Sequence, residues 1–397
     1  MHGKSKKQCR TLTSSYAHAY QSIAMEKIKV LEVIRQGQIG GGESHLLDLI
    51  YYLDKQRFTP VCLSFTDGNM VSRLREMGVE CHIIDTQRAF DWKVQRKIVS
   101  LVRDLHIDII HAHGSRAASN MFCVARLLHL PFIYTVHGWS FHDDQSKRTY
   151  RLRQWSEKLI CKCADQVICV SQSNAATGME GFGLKHPIVI ENGINLERFN
   201  PDTTDPSLRS IFGFSNDDFV AGFIGRCTLQ KSPLDFLKAI QIAHSADSRV
   251  KGLFVGEGDM DAEVDAFIQD HNMKEYVYRS KFRTDVPELL RSIDVFCLPS
   301  LWEGLSIALL EAMAMQKAII ATPTDGTKEV LQNDTNGLII PMQSPNALAN
   351  AIVRLLKIPA LFQRCASNAR MLVASRFDAR KTAQSIANVY ENQKTLR

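Results

Sequence analysis

Strand-like and helix-like segments alternate along almost the whole chain, and that alternation restricts the fold more than any other feature. In the first half, apolar or β-branched runs read as strands at 28–34, 60–65, 80–84, 107–111, 132–136, 166–170 and 187–190. Helical patterns separate most of them, as at 43–54, 68–77, 93–105 and 116–128. In the second half, strands are expected near 219–224, 251–255, 276–280, 294–298, 318–321 and 337–340. Helices are expected there near 233–246, 260–271, 285–292, 305–315, 327–332 and 345–356. This order builds βαβ units and parallel sheets, which gather ligands at the carboxyl ends of their strands. The expected fold class is therefore α/β, as two doubly wound, Rossmann-like domains facing each other across a cleft. Residues 192–206 are rich in turn formers and prolines, and the boundary is placed there. The division expected is a tail over 1–25, a first domain over 26–195, a linker over 196–206 and a second domain over 207–377.

A chain of 397 residues suits two ordinary domains. No run of about 18 apolar residues is present, so no spanning helix is expected. The ten cysteines are scattered, some within apolar runs (Cys62, Cys169, Cys297), and Cys161 and Cys163 lack a zinc or redox spacing. Reduced thiols in a cytoplasmic protein account for them. Residues 1–25 are polar and basic without an apolar core, unlike a secretory signal; Met25, just before the first strand, is an alternative start.

Charge is uneven. Residues 1–200 hold 26 Lys/Arg against 19 Asp/Glu, whereas residues 201–397 hold 22 against 23. Much of the excess falls on Lys147, Arg148, Arg151, Arg153, Lys158 and Lys162, on what reads as one helix. Two readings stand: a solvated helix face, or contact with an anionic membrane surface or phosphorylated acceptor. No motif for nucleic-acid recognition accompanies the charge, and nucleic acid is not an expected partner.

Three glycine-bearing loops follow strands. Gly37 to Glu43 contains three consecutive glycines, and serves equally as a simple strand–helix turn or as a phosphate cradle. Gly225 and Arg226 end a strand, with Lys231 just ahead of a helix start of Ser232 as N-cap, Pro233 and Asp235. Two cations at a strand end can hold a diphosphate, each charge-assisted hydrogen bond contributing roughly 1.5–3 kcal/mol. Gly256 and Gly258 end another strand on the same edge. Finally, Glu303 lies on a strand–helix loop with Gly304, and Glu311 about two turns further along. The pair either faces solvent or spans a ligand with a sugar at one end and a nucleoside at the other. The amides of Leu305 and Ser306 open the helix beside them as a ready anion site.

Taken together, these motifs resemble those of the family-four retaining glycosyltransferases of GT-B architecture, over nearly everything from Ile28 to Tyr390. Glu303 and Glu311 match the paired-glutamate signature, and Gly225-Arg226 with Lys231 the phosphate-binding segment. Gly41-Gly42, with Ser44 and His45 beyond, is similar to the N-terminal glycine loop. Thr135-Val-His137-Gly138 matches the threonine-x-histidine-glycine element, and Val170-Ser171 and Glu191 to Asn195 resemble the segments leading into the linker. The resemblance implies sugar transfer from a nucleotide-diphosphate donor to a glycan or lipid-linked acceptor, with retention, in cell-surface polysaccharide or glycoconjugate synthesis. It implies that Glu303 meets the donor sugar and Glu311 the ribose. Arg226 and Lys231 would bind the diphosphate, with Gly225, Gly256, Gly304, Leu305 and Ser306 around the donor. His137 would face the sugar, and Gly41 and Gly42 would form a phosphate or acceptor loop. No cofactor and no metal are implied; Asp143-Asp144 lacks the spacing of the Asp-x-Asp signature of a metal-bound donor site. A last helix opening at Phe377-Asp378, over 378–397, would cross back onto the first domain as part of a hinge. The expected location is the cytoplasm, with contact at the inner membrane face left open.

Two departures from the family pattern are visible. Ser232 stands where glycine is usual, and Thr322 to Thr327, with Asp325, stands where a diglycine is common. His111 and His113 share one strand face and read as cleft lining or packing; a metal would need a third ligand. Trp302, Trp139 and Phe141 are candidates for ligand contact or for core packing. Ser171 lacks a nucleophile-elbow context. The rival readings are a GT-B nucleotide-sugar epimerase and a non-catalytic sugar-nucleotide-binding protein; a nicotinamide oxidoreductase lacks its glycine fingerprint.

Overall fold

A computed structural model describes residues 27–38, 40–142, 145–203 and 208–395. The expected tail, Asp143-Asp144 and part of the expected linker lie outside the described residues. The first half runs β1 (Ile28–Ile34), α1 (Gly41–Tyr52), β2 (Phe58–Ser64), α2 (Asn69–Glu76), β3 (Glu80–Ile83), α3 (Gln95–Asp104), β4 (Ile109–His113) and α4 (Ser115–Leu128). It continues with β5 (Phe132–Val136), α5 (Lys147–Cys163), β6 (Gln166–Cys169), α6 (Gln172–Phe182) and β7 (Ile188–Val189). The second half runs β8 (Phe219–Ile224), α7 (Pro233–Ala246), β9 (Val250–Val255), α8 (Asp261–Asp270), β10 (Val277–Ser280), α9 (Val286–Arg291) and β11 (Val295–Leu298). There follow α10 (Ile307–Ala314), β12 (Ala318–Ala321), α11 (Asp325–Val330), β13 (Leu338–Ile339), α12 (Pro345–Lys357), α13 (Pro359–Arg376) and α14 (Ala379–Thr395).

Both sheets are parallel throughout. The first has seven strands in the order β3-β2-β1-β4-β5-β6-β7, and the second has six in the order β10-β9-β8-β11-β12-β13. In each, the strand order reverses beside the strand that comes first in sequence (β1 and β8), which opens a crevice at the carboxyl edge. The strands are near-continuous apolar runs because helices cover both faces. Val30, Leu31, Val33, Phe296 and Ile320 are all buried.

Helix α14 packs on the first sheet, not the second. Its Ala383, Ile386 and Tyr390 join Val30, Phe58, Ile109, Ile133 and Ile168 in one apolar cluster. The chain crosses over where Ile194 N–H bonds Phe377 O (2.8 Å) and Ala379 N–H bonds Ile194 O (3.1 Å). A Cβ on Gly193 would stand 2.4 Å from the Ala379 Cα, so only glycine fits there.

Three helices depart from the sequence reading. Helix α6 carries Gly178 and Gly181 and many small polar residues, so propensity hides it; its Ser171 cap (Oγ accepts from Asn174 N–H) and the left-handed Gly183 end it cleanly. Helix α13 buries Leu361, Cys365, Ala366, Ala369 and Val373, a face too rich in small residues to stand out. Helix α10 begins at Ile307 and not at Leu305, which leaves Gly304 to Ser306 as loop.

Candidate active site

The carboxyl edges of the two sheets meet. The loop after β11 approaches the loop after β5 so closely that a Cβ on Gly304 would lie 2.5 Å from the His137 carbonyl oxygen. Behind it, a Cβ on Gly326 would lie 2.1 Å from Gly304 O. Gly304 is thus a contact point between the two halves of the protein. At Gly41 a Cβ would touch the Ile307 side chain at 3.7 Å, and at Gly42 it would lie 3.5 Å from His137 Cδ2. The glycine loop, His137 and the start of α10 therefore converge.

Further contacts fix this apposition. Glu329, on α11, accepts from the backbone N–H groups of Gln172 (3.0 Å) and Ser173 (2.6 Å) at the start of α6. A carboxylate at a helix N-terminus satisfies free amides and offsets the helix dipole. Asn192 Nδ2 donates to Leu305 O at 2.9 Å, and Leu305 itself is buried.

Lys231 is buried and forms an ion pair with Glu303. Ser300 Oγ donates to the same Glu303 oxygen at 3.0 Å, and Thr322 Oγ1 bonds the Ser300 carbonyl behind it. Arg226 is exposed and donates to Gln230 Oε1 at 3.1 Å. Gln230 in turn donates to Trp302 O at 2.9 Å, so the loops after β8 and β11 are tied together. Ser232 takes φ 49° and ψ 56°, the left-handed conformation that glycine adopts most easily. It stands at the N-cap of α7 as expected, with Pro233 next, but its hydroxyl donates to Asp235 Oδ2 (2.8 Å) in place of capping the backbone. Gly225 and Gly256 also close on each other: a Cβ on Gly256 would meet Gly225 O at 1.8 Å.

Glu311 is buried on α10. Burial pushes its carboxyl up to about 8; Arg198 opposes the shift and Asp48 adds to it. Burial likewise raises Asp48 to about 6 and Glu43 to about 7, and Arg226 is among the groups that pull Glu43 back. Arg226 thus acts on Glu43 from across the cleft. Neither Glu43 nor Asp48 was singled out from sequence; Glu43 directly follows the glycine run and could have been.

A polar network lies beneath His137. Glu32, wholly buried in β1, accepts from Tyr390 Oη at 2.7 Å and contacts His113 Nε2 at 2.9 Å and His111 Nδ1 at 3.2 Å. His111 Nδ1 lies 2.6 Å from Tyr390 Oη, and its Nε2 lies 2.7 Å from Thr135 Oγ1. His113 Nδ1 lies 3.3 Å from His137 Nε2. His45 packs on His137 with ring centroids 5.0 Å apart, and its Nε2 is buried without a hydrogen-bond partner. Spacing offered no third ligand beside His111 and His113. The fold brings His45 to His113 and His137, with three candidate ligand atoms within 4.8 Å; Glu32, His111 and His113 form a second such group. Trp139 and Phe141 are core residues: both are buried, and Trp139 Nε1 donates to Asn174 O at 2.9 Å. Trp302 stacks on His142, with centroids 5.1 Å apart.

Two family profiles match the chain, one per sheet: Glycosyltransferase Family 4 over residues 39–198 and Glycosyl transferases group 1 over residues 205–372. The chain belongs to the family-four glycosyltransferases. An Escherichia coli relative, UDP-Gal:alpha-D-GlcNAc-diphosphoundecaprenol alpha-1,3-galactosyltransferase, is 28% identical over 92% of this chain and 97% of its own length. A Campylobacter jejuni relative, N,N'-diacetylbacillosaminyl-diphospho-undecaprenol alpha-1,3-N-acetylgalactosaminyltransferase, is 26% identical over 85% of this chain and 92% of its own. Among solved structures, Anabaena HepE in complex with UDP and glucose superposes with a TM-score of 0.81 at 23% identity, covering 92% of this chain and all of that one. The two-sheet GT-B fold of this glycosyltransferase is thereby shown.

The raised carboxyl of Glu311 gives a pH prediction. A group whose folded pKa lies above its unfolded value binds protons more tightly when folded, so its stability contribution is complete below about 4.5 and is lost as pH climbs to about 8. Glu311→Gln removes that loss. Urea titrations of this glycosyltransferase and the variant should show the variant gaining relative stability from pH 5 to about 8 and levelling above it. A pH-independent difference would contradict the buried, protonated state.

Proposed function

We propose that this glycosyltransferase is a retaining, metal-independent hexosyltransferase. It moves a sugar from a nucleotide-diphosphate sugar, with a UDP-hexose as the first donor to test, to a lipid-linked glycan. The Lys231–Glu303 pair carries the reading, because a buried Lys231 is held by a partly buried Glu303 where the His137 loop meets the second sheet. Breaking the sugar–phosphate bond leaves negative charge on the departing diphosphate. Lys231, already desolvated and held by Glu303, stabilises that charge without reorganising, and Arg226 adds a second cation from the same loop. Helix α10 presents its opening amides beside Gly304, and Glu311, one to two turns along, meets the ribose. Glu303 binds hydroxyls of the donor sugar, and His137 covers it from the first sheet. The acceptor oxygen attacks the anomeric carbon on the face the phosphate leaves, and its proton passes to the departing phosphate oxygen. Protein cations meet the leaving charge, so no metal bridge is needed. Both relatives are named for diphosphoundecaprenol-linked acceptors, which favours a lipid-linked acceptor here.

Helix α5 supplies a surface for such an acceptor. Arg148, Arg151, Leu152, Trp155, Lys158 and Lys162 fall on one face at helical spacing, and Glu157, Ile160 and Cys161 are buried on the other. Leu152 is 66% exposed and Trp155 61% exposed, among cations that are also exposed. A tryptophan and a leucine within a basic helix face suit shallow insertion at an anionic membrane. No helix among the described residues is long and apolar enough to cross a membrane. On this reading the basic, apolar-tipped face of α5 holds the protein at the cytoplasmic membrane face as a peripheral enzyme.

The test is transfer from a panel of radiolabelled UDP-hexoses to polyprenyl-diphosphate-linked N-acetylglucosamine, with NMR of the product. An anomeric configuration matching the donor is expected; inversion contradicts the mechanism. Incubation with donor alone should give slow hydrolysis and no epimer, which separates transfer from epimerisation and from mere binding. Lys231→Ala or Arg226→Ala should lower turnover by about 10²–10³ while the protein stays folded by circular dichroism. Excess EDTA should leave the rate unchanged. In flotation with phosphatidylglycerol vesicles at low salt, the wild type should float, and a Leu152→Ser/Trp155→Ser double variant should remain below.

A further inference from the structure

We infer that Glu32 and His113 are positioning residues that fix which ring nitrogen of His137 carries its proton, so that His137 presents a bare acceptor nitrogen to the donor sugar. This inference rests on the proposed placement of His137 beside that sugar.

The argument runs along one chain of contacts. The buried carboxyl of Glu32 would be pushed up by burial, but His111 and His113 hold it far below the usual carboxylate range. It is an anion and can only accept. Burial and His111 lower His113 to about 4 against the opposing pull of Glu32, so at neutral pH it has one ring proton. That proton lies on Nε2, facing Glu32 at 2.9 Å, which leaves His113 Nδ1 as a lone pair. His137 Nε2 stands 3.3 Å from that lone pair. Burial, followed by His45 and His113, also keeps His137 neutral. Two lone pairs at this distance repel, so the single proton of His137 lies on Nε2, and Nδ1 is left as an acceptor. His137 makes no other hydrogen bond among the described residues, and it is only partly buried.

A bare nitrogen accepts from a sugar hydroxyl. Hydroxyls become better donors as the sugar ring gains positive charge, so the interaction strengthens in the transition state and raises turnover more than ground-state affinity. Tyr390 closes the far end: its hydroxyl donates to the second Glu32 oxygen at 2.7 Å, and Tyr390 sits on α14, 358 positions away in sequence. Packing alone does not call for such a network. A carboxylate, two imidazoles and a phenol in a parallel-sheet core are costly unless every group is paired.

The direct test is nitrogen-15 NMR of histidine-labelled protein without any ligand, with the His137 signals assigned by their loss in His137→Gln. His137 should show a pyrrole-type Nε2 and a pyridine-type Nδ1. Glu32→Gln offers an amide that donates toward His113 and reverses the order of protons along the chain. It should move His137 toward the Nδ1-protonated form and lower kcat by about 10–100-fold, with donor KM little changed. Tyr390→Phe keeps the ring in its apolar site and should lower kcat in the same direction. Wild-type His137 protonated on Nδ1 overturns the inference; a metal bound by His45, His113 and His137 through its Nε2 would give that form. A Glu32→Gln enzyme with unchanged kcat overturns it as well. If Glu32→Gln does not fold, the wild-type spectrum and Tyr390→Phe decide. If the wild type turns over no nucleotide sugar, the glycosyl-transfer reading fails separately, and the spectrum, which needs no substrate, still decides this one.

Discussion

At Gly304 the two halves of this protein meet backbone to backbone. Gly304 sits against the His137 carbonyl with no room for a Cβ, and Gly326 backs Gly304 in the same way. That approach sets the scale of everything around it. It brings the Lys231–Glu303 pair on one sheet edge within reach of the His137 loop on the other, and the glycine loop over the start of α10. A methyl group at Gly304 would push the edges apart. Polar, reversible contacts flank it: Glu329 on the α6 amides, Asn192 on Leu305 O, and the Arg376–Glu191 ion pair at the crossover. Such an interface suits domains that close over a substrate and reopen, which excludes water as a competing acceptor.

Burial sorts the charged groups of the cleft into two kinds. Lys231 is buried against a partly buried Glu303, and each offsets the cost of desolvating the other. Glu311 has only longer-range compensation, whereas Gln36 bonds Glu43 and the Asn195 backbone bonds Asp48; burial still raises the three carboxyls to about 8, 7 and 6. The first kind is a fixed charge pair. The second is a set of carboxyls whose proton state responds to what binds. A ribose donating two hydroxyls, or a cation drawn in by closure, would favour their ionised forms.

Most of the architecture was legible because a parallel, doubly covered sheet writes itself as short apolar runs separated by helical patterns. Strands β1, β5, β8 and β12 lie where the sequence places them, since nothing but a buried strand accounts for Ile28–Ile34 or Ala318–Ala321. Helix α6 was not legible: two glycines and few apolar residues leave its position to tertiary contact, with Glu329 from the other sheet capping it. The residues of the cleft were legible only as motifs. Their roles beside one another depend on distances that no spacing encodes, such as Gly304 to His137. His45 is the plainest case. It reads as one polar residue in an amphipathic helix, and only the fold shows it packed against His137 with a buried, unpartnered nitrogen.

Glu32 carries the opposite lesson, because its signal was in the sequence and its meaning was not. A carboxylate in the middle of Ile28–Ile34, a strand buried on both faces, breaks the local rule that governs its neighbours. Natural sequences tolerate such a break where something other than packing requires it. Here the requirement is visible in the partners: two histidines of β4 and a tyrosine that only the last helix can deliver. Helix α14 therefore does more than cover an apolar face of the first sheet. By placing Tyr390 on Glu32, it makes the polar state of the His137 network depend on where the last helix docks, and that helix follows directly from the crossover between the two sheets. Any domain motion that strained the crossover at Ile194 and Phe377 would be felt at His137 through four buried side chains.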